Sequence, residues 1–296
     1  SYMKMLYKYP QSEFPYHDLL QTNLKRGKKE PEYELMDTGI FNEDRYFDIF
    51  LEYAKHDMED IVASATIHNR GPEESEIWVI PTLWFRKTWF TGHEPFMPRL
   101  KKDSENSLNI FNPKSGNYKV TFQGDPELKF CDNETNRARL YHIGNEKKFL
   151  KDAINDYVVS GDDSHLNPEN FGTKASAIYK ITIPSGESRQ VILRLQHQET
   201  SDPLEICEGC IKQRKLEADD FYHKMQARVE NEDLRNIQRQ AYAGMLWSKQ
   251  FYYYDVERWL EGDPGRYTPP VERKTGRNGN WRHLQNYDII SMPDKW

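Results

Sequence analysis

Cys207 and Cys210 enclose Glu208 and Gly209, the two-residue spacing of a zinc or dithiol redox site. A structural zinc needs four ligands, and the sequence offers no second such pair and no spaced histidine pair. Dithiol redox chemistry calls for a strand–helix–strand setting that the flanking pattern lacks, so two ordinary thiols near a helix start are the default. "HDMED" (56–60) and "GDDSH" (161–165) place carboxylates beside a histidine, the side-chain set of a metal or general-base site, yet acidic turns are commonly solvated loops or caps. There is no G-x-S-x-G elbow, no H-E-x-x-H and no Gly-rich phosphate loop followed by lysine. Hydrolysis by a serine triad or by a metal therefore finds no support, and the expectation is no metal and no cofactor.

Aromatic residues give the stronger signal. "TLWFRKTWF" (82–90) holds Trp84, Phe85, Trp89 and Phe90, and "QFYYYDVERW" (250–259) holds Phe251, Tyr252, Tyr253, Tyr254 and Trp259 beside Asp255 and Glu257. Flat rings next to carboxylates and arginine suit a sugar, whose C–H faces stack and whose hydroxyls need paired hydrogen bonds. Rings on a helix lying against a sheet are also ordinary core, and both readings stay open. The tail repeats the pattern on irregular backbone, with Asn280-Trp281-Arg282-His283, then Asp288, then Asp294-Lys295-Trp296.

Composition bounds the rest. The chain has 296 residues, 37% apolar and 13% aromatic, enough for one large core or two modest ones. A formal charge of -6, from 41 basic and 47 acidic side chains, leaves no basic stripe for a phosphate backbone and argues against nucleic acid as a partner. No stretch approaches the roughly 18 consecutive apolar residues of a membrane span, so no membrane partner is expected. Three cysteines are too few and too odd in number for a disulfide framework and favour a reducing, cytoplasmic setting. The abrupt start at Ser1-Tyr2-Met3 and the stop at "MPDKW" suggest a piece of something longer.

The elements that must position these residues change character near Pro203. Before it, period two dominates. "DIVASATIHNRG" puts Ile61, Ala63, Ala65 and Ile67 on one face and Val62, Ser64, Thr66 and His68 on the other, a half-buried strand closed by Asn69-Arg70-Gly71. Segments 75–85, 116–122, 176–188 and 189–195 repeat the theme, with Pro184-Ser185-Gly186 as a turn between neighbouring strands. One excursion, "EKKFLKDAINDYVVSG", has helical spacing and Gly161 to end it. After Pro203, "CIKQRKLEADDFYHKMQARVE" and "NEDLRNIQRQAYAGMLWSKQFYYYDVERWLEG" predict two antiparallel helices. The second carries Leu234, Ile237, Ala241, Met245 and Leu246 as one stripe, with Asn231 or Asp233 as cap and Gly262 as stop.

"YKYPQSEFPY", "ELMDTGIFNEDRYFDIFLEYAK", "NRGPEESEIWVIPTLWFRKTW", "FCDNETNRARL", "NPENFGTKASAIYKITIPSGES", "RQAYAGMLWSKQFYYYDVERWL" and "NWRHLQNYDIISMPDKW" resemble the N-terminal half of large microbial proteins of the glycoside hydrolase family 63 type, the mannosyl-oligosaccharide glucosidase group. The resemblance implies a mainly β, antiparallel supersandwich-like domain (1–205), linker helices (206–262) and an irregular connection (263–296) toward an absent (α/α)6 barrel. It implies inverting hydrolysis of an α-glucosidic bond in a glucoside or oligosaccharide, by two carboxyls roughly 6.5–9.5 Å apart. Both carboxyls would lie in the barrel, so Asp255, Glu257, Asp263, Asp288 and Asp294 receive no catalytic role. Asp255 and Arg258 are expected to form a surface pair. The position before the barrel makes Trp281, Asp294, Lys295 and Trp296 a substrate-binding rim. A sugar-binding or architectural module, or part of a sugar phosphorylase, is the alternative.

Overall fold

A computed structural model describes residues 1–85, 87, 89, 96–197, 202–263 and 268–290, with backbone alone for 247–252 and 287–290. The chain divides into two units, residues 1–85 with 98–215, and residues 86–97 with 216–296.

In the first unit the strands are β1 (Tyr2–Pro10), β2 (Tyr46–Asp57), β3 (Asp60–Asn69), β4 (Ser75–Val79), β5 (Thr82–Trp84), β6 (Arg99–Ser104), β7 (Ser107–Asn112), β8 (Gly116–Phe122), β9 (Glu127–Cys131), β10 (Phe171–Gly172), β11 (Lys174–Ile183) and β12 (Ser188–Gln196). Helices α1 (Tyr16–Lys25), α2 (Arg137–Tyr141), α3 (Ala153–Ser160) and the start of α4 (Cys207–Met225) interrupt or follow them. Two antiparallel sheets result. The larger has the order β1-β2-β3-β12-β8-β7-β6-β10, and the smaller gathers β4, β5 and β9 around β11.

The alternation read from the sequence sorts side chains onto the two faces of each sheet. Leu100, Leu108, Ile110, Val120 and Phe122 of the larger sheet meet Leu128, Phe130, Ala175 and Ala177 of the smaller. Further along, Phe47, Ala65 and Ile67 meet Ile77 and Ile183. This is an antiparallel β-sandwich. Its outer faces are covered too, by α3 through Ala153 and Ile154 against Cys131 and Ile178, and by α4 through Cys207, Cys210 and Ile211 against Ala54, Val62 and Ile192.

That outer cover corrects the half-buried reading of β3. Val62 and Ser64, on the face opposite Ala65 and Ile67, are also buried: α4 packs on Val62, and Ser64 accepts from the Gln190 amide at 3.0 Å. The turn at Pro184-Ser185-Gly186 is also different from expectation. Gly186 has φ +71°, as a tight turn requires, but it joins β11 of one sheet to β12 of the other, crossing the sandwich rather than making a hairpin. The excursion 146–161 is helical only over α3, and Gly161 ends it at φ +73°. At Gly172 an added Cβ would sit 2.1 Å from the Cys131 carbonyl oxygen, so this close backbone crossing admits no side chain.

Charge holds one edge of the larger sheet. Lys8 donates to Asp48 at 2.6 Å and Arg70 donates to its other oxygen at 2.8 Å. Burial pushes the Asp48 carboxyl up, but the two cations outweigh burial and hold it below its ordinary 3.8. Because the folded value is the lower one, this contribution is complete above about pH 4 and fades as pH falls through the folded value. Asp48→Asn is expected to flatten the loss of stability below about pH 4, which urea midpoints across an acid series would measure.

The second unit starts within α4 and adds α5 (Glu232–Ser248), β13 (Lys249–Asp255), α6 (Val256–Glu261) and β14 (Gln285–Ile290). Asn231 caps α5 by accepting from the Leu234 N–H at 3.1 Å. Asp219 and Tyr222 of α4 meet Arg239 and Tyr242 of α5, and Gln226 donates to the Arg235 carbonyl, as an antiparallel hairpin requires. The predicted second helix, however, stops at Ser248. Residues 249–255 leave it as β13 and pair antiparallel with β14. A run of four aromatics has strand rather than helix preference, and a strand partner 35 or so residues later overrides the helical context on either side.

Candidate functional site

Asp255 ends β13 and caps α6, its carboxylate accepting from the Arg258 N–H at 3.1 Å. The expected Asp255–Arg258 ion pair is not the one formed, since the Arg258 side chain turns to Asp263 at 2.5 Å. Val256 and Leu260 bury one side of the six-residue helix, leaving Trp259 47% exposed. Beyond it, a 3-10 turn at Val271–Lys274 and a tight turn containing Asn278 at φ +68° bring the chain back to α6. Gly279 permits that return, for a Cβ there would lie 2.5 Å from the Lys274 carbonyl oxygen.

These turns assemble a polar and aromatic surface. The Arg273 guanidinium lies 4.1 Å from the centre of the Trp259 ring and donates to the Trp259 carbonyl at 3.2 Å. Glu261 accepts from Lys274 at 2.8 Å and from Arg282 at 3.0 Å. Those two hydrogen bonds hold its carboxyl below its ordinary value, so it is a fixed anion and a poor proton donor at neutral pH. Trp281 is 56% exposed and its ring stacks on His283 at 5.7 Å between centres. The Tyr254 hydroxyl accepts from the Asn278 amide at 2.9 Å. Chemically, the arrangement offers two exposed indoles for stacking, with an anion and three cations between which hydroxyls could be bonded.

Of the rim residues expected from sequence, Trp281 is therefore on this surface, while Asp294, Lys295 and Trp296 lie outside the described residues. Glu261, Arg273 and Lys274 are not singled out by the sequence, and Arg282 stands there only within the 280–283 run. Their signal is faint, because the partners are brought together by irregular turns rather than by a periodic element. In the other aromatic cluster, Trp84 is 60% exposed on β5 and Phe85 packs on the sandwich core, while Phe90 lies outside the described residues.

The remaining candidates have structural explanations. Asp57 and Asp60 of "HDMED" flank the β2–β3 turn, where Asp57 accepts from the Met58 N–H and Asp60 clasps Arg194 with both oxygens, at 2.9 and 2.6 Å. Asp162 of "GDDSH" accepts from the Ser164 N–H, and the His165 ring meets the Lys148 carbonyl. Among the described residues no three His, Cys, Asp or Glu side chains are close enough to share a metal ion. Cys207 and Cys210 are free and buried in the contact between α4 and the larger sheet. Burial pushes the Cys207 thiol up to about 11 and the Cys131 thiol up to about 12, the opposite of what a reactive thiolate needs. In the native protein none of the three is expected to react with a disulfide reagent at pH 8 on the timescale of minutes, and all three should react once urea unfolds the chain.

The elements define a protein of the β-sandwich class that continues into a helical hairpin and a turn-rich surface bearing exposed tryptophans. No family model matches the sequence. It is 38% identical over 345 aligned positions to "Uncharacterized protein YMR196W" of Saccharomyces cerevisiae, covering 100% of this chain and 32% of that protein. The chain thus spans about a third of the length of the curated relative it matches. Two solved structures overlap it loosely, each with a TM-score of 0.30. One is a polysaccharide lyase, 13% identical, covering 54% of this chain and 21% of its own. The other is a putative kojibiose phosphorylase from human microbiome, 9% identical, covering 73% and 24%. Likeness at that level bears on neither fold nor activity. No described helix is long and apolar enough to cross a membrane.

Proposed function

We propose that the chain is a non-catalytic portion of a carbohydrate-active, glucosidase-like hydrolase, in which the surface around Trp259, Glu261 and Trp281 forms part of a substrate rim. The observation that carries this reading is the pairing of two exposed indoles with a carboxylate fixed between Lys274 and Arg282. Rings and charged hydrogen-bonding groups side by side are what a pyranose face and its hydroxyls require. The inverting acid and base would lie in an (α/α)6 barrel outside these 296 residues, consistent with Glu261 being clamped as an anion. The hairpin of α4 and α5 supports such a partner, because Leu216, Phe221, Leu234, Ile237, Met245 and Leu246 are each more than half exposed. Asp294, Lys295 and Trp296 would extend the rim, and three free thiols fit a reducing, cytoplasmic location.

The test is a panel of α-linked glucose disaccharides given to this chain and to the same gene product extended by several hundred residues. Turnover is expected in the longer protein alone, with Trp281→Ala raising its KM about tenfold or less, the loss of one stacked ring. Turnover by the short chain would sink the assignment. Sugar binding without turnover in either protein would favour a binding or architectural module, and phosphate-dependent cleavage would favour a phosphorylase.

A further inference from the structure

The sequence contains a single Asn-Gly pair, Asn278-Gly279. Such a pair carries its own modification chemistry, because a glycine without Cβ lets the next main-chain nitrogen reach the asparagine side-chain carbon. The nitrogen of Gly279 bonds to Cγ of Asn278, its proton departs with the side-chain amide as ammonia, and a five-membered succinimide closes. Water then opens that ring at one of its two carbonyls and leaves aspartate or isoaspartate at position 278. Nothing but water is consumed.

In the folded chain both nitrogens that this step uses are held. Asn278 lies in the left-handed region at φ +68°, a conformation that asparagine tolerates. Its side-chain amide, the leaving group, donates to the Tyr254 hydroxyl at 2.9 Å. The attacking N–H of Gly279 donates to the Gly276 carbonyl at 3.1 Å, and the Asn278 carbonyl accepts from the Trp281 N–H at 2.9 Å. Gly279 is also hemmed in, since a Cβ there would lie 2.5 Å from the Lys274 carbonyl oxygen and 3.2 Å from that of Gly276. Cyclisation must free the nitrogen and turn the amide toward it, so both hydrogen bonds have to open first.

We infer that Asn278 is a latent deamidation site, shielded by the Tyr254 hydroxyl and the 276–279 turn and reactive only when that turn opens. The product reaches the surface described above. Isoaspartate carries the main chain through the former side chain and adds one methylene to the backbone between Gly276 and Trp281, where two turns overlap and Gly279 already crosses the Lys274 carbonyl. The carbonyl that accepted from the Trp281 N–H becomes a free side-chain carboxylate. Conversion is therefore a one-way change that begins with local opening and ends with Trp281 released from its turn, whatever ligand that surface takes.

The test incubates the native chain and the same chain unfolded in urea at pH 8. Trypsin, cutting at Arg277 and Arg282, then releases residues 278–282 for mass analysis. Asn278 is expected to convert at least about tenfold more slowly in the native chain, the weight of two hydrogen bonds that must open. Tyr254→Phe should speed native conversion about fivefold, the weight of one such bond, and leave the rate in urea unchanged. Amide exchange at Trp281 should rise in the isoaspartate fraction, separated by ion exchange, and not in the unconverted one. Equal rates in native and unfolded chains overturn the inference, as does a folded Tyr254→Phe variant that converts at the wild-type rate. So does an isoaspartate fraction whose Trp281 amide stays protected. Should the phenylalanine variant misfold, as its unfolding midpoint would show, the wild-type rates and the Trp281 exchange still decide.

Discussion

Arg194→Ala is expected to lower the unfolding free energy by about 3–5 kcal/mol, measured by urea titration of the far-ultraviolet signal. Arg194 lies in the middle of the larger sheet with 5% of its side chain exposed, and Asp60, 13% exposed, holds it through two hydrogen bonds. Its remaining donors reach the Pro203 carbonyl at 2.7 Å, tying the segment that leads into α4. Removing the cation leaves a largely buried carboxylate without its partner, which costs more than the pair itself contributes. Replacing both residues with apolar ones of similar size should recover much of the loss. A single substitution costing under about 1 kcal/mol would show that water reaches the pair, as at a surface ion pair.

Phe122→Ala should cost about 3–5 kcal/mol, by lost transfer energy and by the cavity left behind. Phe122 is fully buried, in the cluster that joins the larger sheet to Leu128, Phe130 and Ala177 of the smaller. Two hydrogen-bonded sheets cannot close the gap as a helix surface could, so the cost should fall at the upper end. Thermal unfolding followed by calorimetry would read it. A loss near that of a surface substitution would mean that the two sheets are not packed through this residue.

Local elements were largely legible, and their pairing was not. The run 116–122 is β8 residue for residue, β3 begins at Asp60 as its alternation suggests, and Gly161 stops α3 at a left-handed φ. Periodicity reports what each segment does with its own side chains. It carries no information on which sheet a strand joins, so β11 and β12, adjacent in sequence, end in different sheets. The strand β13 was hidden for a related reason, since its partner lies beyond two turns and helix-forming residues surround it. At the site, Trp281 was visible because an exposed tryptophan on irregular backbone is unusual. Glu261 was not, because Lys274 and Arg282 come from 13 and 21 residues away without any repeating spacing.

The placement of β12 bears on how the protein is made. This strand sits between β3 and β8, bonded to both, yet it is the last strand of the larger sheet to leave the ribosome. Until residue 196 has emerged, the nascent chain holds β1–β3 and β6–β8 as separate ribbons, each with an open apolar edge where β12 will go. Synthesis of this sandwich therefore passes through a stage some 70 residues long, from β8 to β12, in which two apolar strand edges wait for a partner that does not yet exist and are open to mispairing.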